Sequence, residues 1–265
     1  MTLKDYHNLS EISKSDLDLL AKSPLHFKRK QELKSEPTPA LMLGTLAHKL
    51  ILEPDDFKNE FLIEPVCDKR TKEGKAIYAE LMANLGDKIA ITQEQFNTAQ
   101  AIANAVLKTP QAKVFLKDGL AEQVYFGEID GVAVKAKPDF YNENLGVIVD
   151  LKTTSDASAS GFAKSVANFN YHIQTAFYSE ILRQNGKAVN NFLFVAVETK
   201  PPYFVGFYEL DDEAINLAQS RILELLSLYR FCRDNDKWWG YAKKIDDKIN
   251  HIVKIGLPAY KFYEA

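Results

Sequence analysis

Cysteine is scarce in this chain: among 265 residues there are two, Cys67 and Cys232, far apart and outside any C-x-x-C pair. A disulfide framework is therefore not expected, and one chain cannot build a four-cysteine zinc or iron–sulfur site. Long apolar runs are also missing. The longest, LMLGTLAHKLIL, is interrupted by Gly44, His48 and Lys49. It falls short of the roughly 20 apolar residues needed to span a bilayer. The opening MTLKDYHNLS has no apolar signal-peptide core. No phosphate-binding G-x-x-x-x-G-K-[ST] loop occurs, because Ala76 follows Gly74-Lys75 and Ala188 follows Gly186-Lys187. An ATP-driven motor is thus not in view. The net charge is only −3, so any polyanion must be met by a local patch. These absences lead us to expect a soluble, cytoplasmic protein with no membrane contact.

What is present is an ordinary globular composition, 46% hydrophobic and 26% charged, sufficient for a substantial core. No repeat or linker divides the chain, so a single domain over 1–265 is expected. It would comprise a mostly helical part at 1–118, a core at 119–235 and a tail at 236–265. SKSDLDLLAKSP predicts a helix capped by Ser13 or Ser15, with Pro24 beyond its end. HFKRKQELK predicts a second, basic helix. TPALMLGTLAHKLILEP predicts a third, stopped by Pro54. TKEGKAIYAELMANLG and TQEQFNTAQAIANAVLKTP have helical spacing, the latter opening on a Thr92–Gln95 capping box.

The period then changes. Alternation and turn signals predict three consecutive antiparallel strands near 121–128, 132–141 and 146–152. Helices follow near 159–168 and 171–185, then two strands in NNFLFVAVET and YFVGFYEL, and an amphipathic helix from Asp211 to about Asp234. The fold class expected is α/β with a central mixed sheet containing an antiparallel meander, flanked by helices.

The chemistry concentrates in VIVDLKTTSD. A strand places alternate residues on one face, so Asp150 and Lys152 point with Ile148, while Val149 and Leu151 point the other way. A charge on a buried strand is costly unless paired or bound to metal. Asp139, in KAKPDF, lies eleven residues earlier, at the end of the neighbouring predicted strand. Two carboxylates brought together at one sheet end need a cation between them. Oxygen ligands without thiolate favour Mg²⁺ or Mn²⁺. An adjacent lysine can orient or help deprotonate a water, or steady charge on a phosphate. Alone, a D-x-K is most often a surface ion pair, and the preceding Pro138-Asp139 is what singles this one out.

Pro138-Asp139 followed by Asp150-Leu151-Lys152 resembles the PD-(D/E)XK nuclease signature. QTAFY at 174–178 resembles the QxxxY motif, and GTLAH at 44–48 the upstream histidine motif, of the RecB-like branch of that superfamily. With SKSDLDLLAKSP, KRTKEGK, GVAVKAKPDFY, VDLKTTSDAS, PPYFV and WWGY, nearly the whole chain is similar to the exonuclease VIII (RecE-type) nuclease domain. The resemblance implies a restriction-endonuclease-like fold. It implies Asp139, Asp150, the Leu151 carbonyl and His48 as metal ligands, and Lys152 as the catalytic lysine. Gln174 and Tyr178 would line the site, sharing a helix face at i, i+4, with Glu122 as an acidic neighbour. Lys137 stands where the family carries arginine, keeping the charge without the planar fork.

The activity implied is Mg²⁺-dependent, with Mn²⁺ as substitute, and degrades one strand of duplex DNA from a 5′ end, leaving 3′ single strands for recombination. Implied partners are double-stranded DNA ends, a single-strand annealing protein and further copies of the chain in a ring, in a bacterial or phage setting. An endonuclease or repair nuclease of the same superfamily, or a non-catalytic DNA-binding module, are the alternatives. The branch with a cysteine-held iron–sulfur cluster does not suit two cysteines. Apart from these motifs, His172, Trp238 and Trp239 read as packing. LHFKRK (with Phe27, Lys28, Arg29 and Lys30) and KRTKEGK read as solvated basic faces or as phosphate contacts.

Overall fold

The computed structural model describes residues 3–33, 37–245 and 248–258. Short polar side chains set where the helices begin. α1 (Leu3–Asn8) precedes α2 (Lys14–Lys22), whose N-cap Ser13 forms a capping box with Asp16. Each such cap satisfies backbone N–H groups that the first turn leaves unpaired. α3 (Pro24–Lys28) is five residues long. The basic helix expected over HFKRKQELK is therefore cut short, and the chain turns from Arg29 to Leu33. α4 (Pro39–Leu52) is capped by Thr38 and buries Leu46, Ala47, Leu50 and Ile51. Pro39 at its first position costs nothing because that N–H has no partner in a helix. A turn of 3-10 helix, Pro54–Asp56, ends it and leads into α5 (Phe57–Glu60) and β1 (Phe61–Ile63). α6 (Lys72–Ala83) and β2 (Ile89–Ile91) follow, with β1 and β2 paired in parallel. α7 (Gln93–Leu107) carries the Thr92–Gln95 capping box, and α8 (Pro110–Phe115) is short.

The remaining elements are β3 (Gly119–Ala121), β4 (Tyr125–Ile129), β5 (Val132–Ala136), β6 (Phe140–Asn142) and β7 (Val147–Thr154). Then come α9 (Ala159–Asn168), α10 (Tyr171–Gln184), β8 (Asn191–Glu198), β9 (Val205–Tyr208), α11 (Asp212–Asn235), β10 (Lys243–Ile245) and β11 (Lys248–Asn250). The central sheet has the order β3-β6-β7-β8-β9, with β7 and β8 parallel and the other pairs antiparallel. A parallel pair needs a long crossover, which α9 and α10 supply. The end of the expected tail, 259–265, lies outside the described residues. Among the described residues no helix is long and apolar enough to cross a membrane.

The expected three-strand meander is not one sheet. The strands predicted near 121–128 and 132–141 each break, and their halves join two different sheets. β4 and β5 form a separate hairpin, while β3 and β6 pair within the central sheet. Pro138 supplies the reason on one side, since it cannot donate to a ladder. On the other side Glu122 takes a left-handed backbone, φ 54°, which a regular strand does not accommodate. The two breaks lie side by side, and the Glu122 N–H donates to the Asp139 carbonyl at 3.0 Å. Asp139 consequently sits at a kink just before β6, not at the end of the preceding strand.

Alternation along β7 and β8 divides the core in two. Ile148, Phe192, Phe194 and Ala196 pack with Leu17, Phe162, Phe177 and Leu225 from α2, α9, α10 and α11. Val149, Leu151, Leu193 and Val195 pack on the other face with Leu46, Ile102 and Val106 from α4 and α7. The fully buried Phe194 ring lies 4.9 Å from that of Phe192 and 5.6 Å from that of Phe162. Phe194→Ala should lower stability by about 3–5 kcal/mol through lost transfer energy and a residual cavity. Urea unfolding should report a lower midpoint with an unchanged slope.

Candidate active site

The two core faces explain how β7 presents chemistry. Its odd-numbered residues Val149 and Leu151 anchor it on α4 and α7. Asp150 and Lys152 therefore emerge on the α10 side, as the alternation predicts. Asp150 is 0% exposed, so its charge is solvated by protein groups alone. Gln174 Nε2 donates to its Oδ2 at 2.5 Å, and Lys152 Nζ pairs with its Oδ1. Gln174 reaches it because the buried face of α10 packs over the sheet.

Asp139 comes in from the kink. Its Oδ2 accepts the Leu151 N–H at 2.7 Å, and His48 Nδ1 lies 3.5 Å from the same oxygen. His48 arrives on α4, one turn after Gly44. A Cβ at Gly44 would stand 3.1 Å from Thr153 Oγ1 on β7, so glycine permits the close approach that sets His48 against the site. Glu122 pairs with Lys137 across the two strand breaks. The lysine at the family's arginine position thus has an intramolecular carboxylate partner. Tyr178, half-buried one turn along α10 from Gln174, lines a hollow of about 240 Å³ with Tyr6, Ser13, Lys14, Ser15, Glu122, Lys137 and Gln174.

The electrostatics follow from crowding charges in a dry place. Burial, reinforced by the negative charge of Asp150, raises the Asp139 carboxyl to about 7, against the pull of Lys152 and the Leu151 N–H. Burial raises Glu122 as well, with Asp139 adding to it. For Lys152 burial acts to lower the pKa, but Asp150 and Asp139 outweigh it and hold the ammonium above its ordinary range. Burial and the Lys152 charge lower His48, against Asp150, Glu122 and the Leu151 backbone. Burial, with nearby Tyr6 and Asp150, keeps Tyr178 a neutral phenol.

The Asp139, Asp150, Lys152, His48, Gln174, Tyr178 and Glu122 side chains are thus gathered around one end of the sheet, while the Leu151 side chain faces the opposite core. One expectation is modified. Among the described residues no three His, Cys, Asp or Glu side chains form a set that could hold a metal ion. The carboxylates are instead turned onto neighbours: Asp139 onto the Leu151 N–H, Asp150 onto Lys152 and Gln174. The donor chemistry nevertheless fits a hard divalent cation. The buried Asp150 carboxylate, the part-buried Asp139 carboxylate and one imidazole are present without thiolate. Asp139, raised chiefly by desolvation and then by Asp150, is a carboxyl whose ionised form a cation would favour. Sequence reasoning missed Tyr6, Lys14 and Tyr171. Tyr171 shares a face with Gln174 and Tyr178 at i, i+3 and i+7, a readable signal. Lys14 lies inside the recognised opening helix, whereas Tyr6 reaches the site only through the tertiary fold.

The other predicted contacts behave as packing. Phe27 stacks on Trp238 at 5.6 Å, and Lys28 lies over the same indole at 5.0 Å. Lys30 pairs with the buried Asp16 at 2.8 Å. Phe27 and Lys30 are therefore engaged within the fold, while the Lys28 and Arg29 side chains remain 54% and 60% exposed. In KRTKEGK, Lys69 pairs with Glu64 and Arg70 with Asp68. His172 is half-buried, its imidazole lowered mainly by burial.

Residues 13–250 match the family described as "PDDEXK-like domain of unknown function (DUF3799)". No curated protein matches the chain. Among solved structures, one from Eubacterium rectale described as a "Putative exonuclease" is similar over 100% of this chain and 98% of its own, with 18% identity and a TM-score of 0.65. It supports the fold. A phage-related exonuclease from Haemophilus somnus 129PT aligns over 74% of this chain and 95% of its own, with 13% identity and a TM-score of 0.37. That alignment is too loose to carry an argument.

Proposed function

Because the chain belongs to the PDDEXK-like family of unknown function, we propose that it is a Mg²⁺-dependent, ATP-independent exonuclease acting on double-stranded DNA ends. The observation that carries this reading is the pair on β7 between buried Asp150 and part-buried Lys152, with Asp139 brought beside it by the kink at Pro138. A structural ion pair has no need of a second carboxylate beside it whose ionised form is disfavoured by desolvation and by Asp150.

Asp139, Asp150, His48 and the Leu151 carbonyl would hold the cation. When bound, Mg²⁺ supplies positive charge to the scissile phosphate and acidifies a water. The remaining steps belong to the chain itself. Lys152 is held as an ammonium by Asp150 and Asp139. Beside a bound cation its role is to orient or help deprotonate the attacking water and to stabilise charge growing on the phosphate. Gln174 fixes one Asp150 oxygen, which sets the direction of the other. Tyr178, a neutral phenol, can donate to a phosphate oxygen. The 5′ to 3′ polarity, the 3′ single-stranded product, the ring of subunits and an annealing-protein partner rest on the resemblance to exonuclease VIII.

The test is digestion of a linear duplex labelled separately at its 5′ and 3′ ends, beside a covalently closed circle, without ATP. We expect Mg²⁺-dependent release of the 5′ label, abolished by chelator, and an intact circle. Cutting of the circle would move the protein to the endonucleases, and no cleavage with any divalent ion would leave a DNA-binding module.

A further inference from the structure

Lys152 belongs to the catalytic group and also forms part of a second hollow, of about 180 Å³. Its aromatic lining is Phe162, Phe169 and Tyr171, and Thr153, Thr154 and Ser165 supply hydroxyls. The rings form a ladder. Lys152 Nζ lies 4.7 Å from the Tyr171 centroid. Tyr171 stacks on buried Phe194 at 5.8 Å and 28°, and Phe169 stacks on Tyr171 at 5.6 Å and 25°. The ladder thus runs from the core, past the catalytic ammonium, to solvent.

Phe169 is 58% exposed, yet its backbone is pinned. Lys14 Nζ donates to the Phe169 carbonyl at 2.7 Å and pairs with Asp18 at 2.7 Å. The next residue, Asn170, takes a left-handed backbone, φ 53°, and its Nδ2 donates to Asp18 Oδ1 at 3.3 Å. α2 therefore holds a large apolar ring at the mouth of a hollow, where it gains little from burial. A planar apolar partner arriving from solution would supply what the fold withholds.

We propose that this hollow takes one unstacked nucleobase of the strand being cut, stacked on the exposed side of Phe169, the outer ring of the ladder, beside the phosphate at Lys152. The proposal rests on the nuclease reading above and names the part of the substrate that registers the strand. Stacking on an aromatic face is available to every base, which suits an enzyme that removes nucleotides whatever their sequence. The exposed ring also gives the opened end a surface to replace its lost stacking partner.

A single abasic nucleotide, moved one position at a time through the end of a duplex, tests this in single-turnover cleavage. Phe169→Ala should slow cleavage of intact DNA by about 5- to 150-fold, the range that one base–aromatic stack covers. At one position the abasic site should slow the wild type similarly, and there the two changes together should cost no more than either alone. Phe169→Trp should retain the rate. In chelator, a fluorescent adenine analogue at that position should be quenched by wild type and not by Phe169→Ala. Unchanged thermal melting will confirm that the exposed substitution leaves the fold intact. Wild type that cleaves while Phe169→Ala matches it, or losses that add at every position, would overturn the stacking site and leave the nuclease reading standing. Wild type that neither cleaves nor quenches would overturn both.

Discussion

Asp150→Asn is expected to lower DNA cleavage by roughly 10²–10⁴-fold, the range typical for removing a group that acts in the transition state. The substitution keeps the shape and an oxygen for Gln174 but removes the charge that faces Lys152. Asp150 is buried, so the loss also leaves an ammonium with a weaker partner. Breaking one side of a buried pair costs about 3–5 kcal/mol, whereas removing both sides can be nearly neutral. Asp150→Asn combined with Lys152→Met should therefore recover much of the stability lost by Asp150→Asn alone, while cleavage stays absent. Chemical denaturation and single-turnover cleavage on the same three proteins separate the two roles. A cleavage rate within a few-fold of wild type in Asp150→Asn would remove this carboxylate from the reaction.

Divalent cation is expected to stabilise the protein strongly above neutral pH and weakly below it. Asp139 is the cause. Its folded-state pKa, about 7, lies above the value of roughly 3.9 for a free aspartate. A carboxyl raised in this way contributes stability that is full below the unfolded pKa and is lost as pH rises through the folded one. The metal-free protein therefore loses that contribution between about pH 4 and pH 7. Cation binds the ionised form, so the proton competes with it below about pH 7 and releases the site above. At a free cation concentration near 100 times the dissociation constant, binding adds about 2.7 kcal/mol. Thermal melts with and without Mn²⁺, at about pH 6 and pH 8, should show the larger shift at pH 8. In Asp139→Asn the difference between the two pH values should vanish. An equal shift at both pH values in wild type would disconnect Asp139 from the cation.

Both predictions depend on residues that were legible to different degrees. Asp150 and Lys152 were legible together because a strand has period two, and VIVDLKTT displays it without interruption. Gln174 and Tyr178 were legible as neighbours because α-helical spacing places i and i+4 on one face. Thr92 announced α7, and Ser13 announced α2, through local hydrogen bonds that need only a few adjacent residues. Asp139 was legible as a candidate but not in its setting. Alternation alone runs straight through Pro138, whereas the chain divides there between two sheets.

The misplaced elements share a physical reason. The basic helix over HFKRKQELK has adequate local propensity, but the chain leaves it after Lys28, where Phe27 packs on Trp238 and Lys30 reaches Asp16. Those partners are distant in sequence, and tertiary contacts override a weak intrinsic preference. Tyr6 reaches the hollow in the same way. Buried Lys135 on β5 donates to the Tyr6 and Leu9 carbonyls at 2.7 and 3.0 Å, fastening the end of α1 to the hairpin. Nothing in MTLKDYHNLS carries that information.

By itself, then, the sequence determined the mixed α/β class, most of the helices and the polarity of β7, because periodicity and capping act within a few residues. It also determined the donor types at the site, and with them the expectation of a hard cation. Only the tertiary structure decided that Asp139 rests on the Leu151 N–H, that Glu122 closes onto Lys137, and that Phe169 is held in solvent by Lys14. These are contacts between segments folded from far apart. Their geometry depends on two strand breaks and a helix crossing that only packing of the whole chain sets.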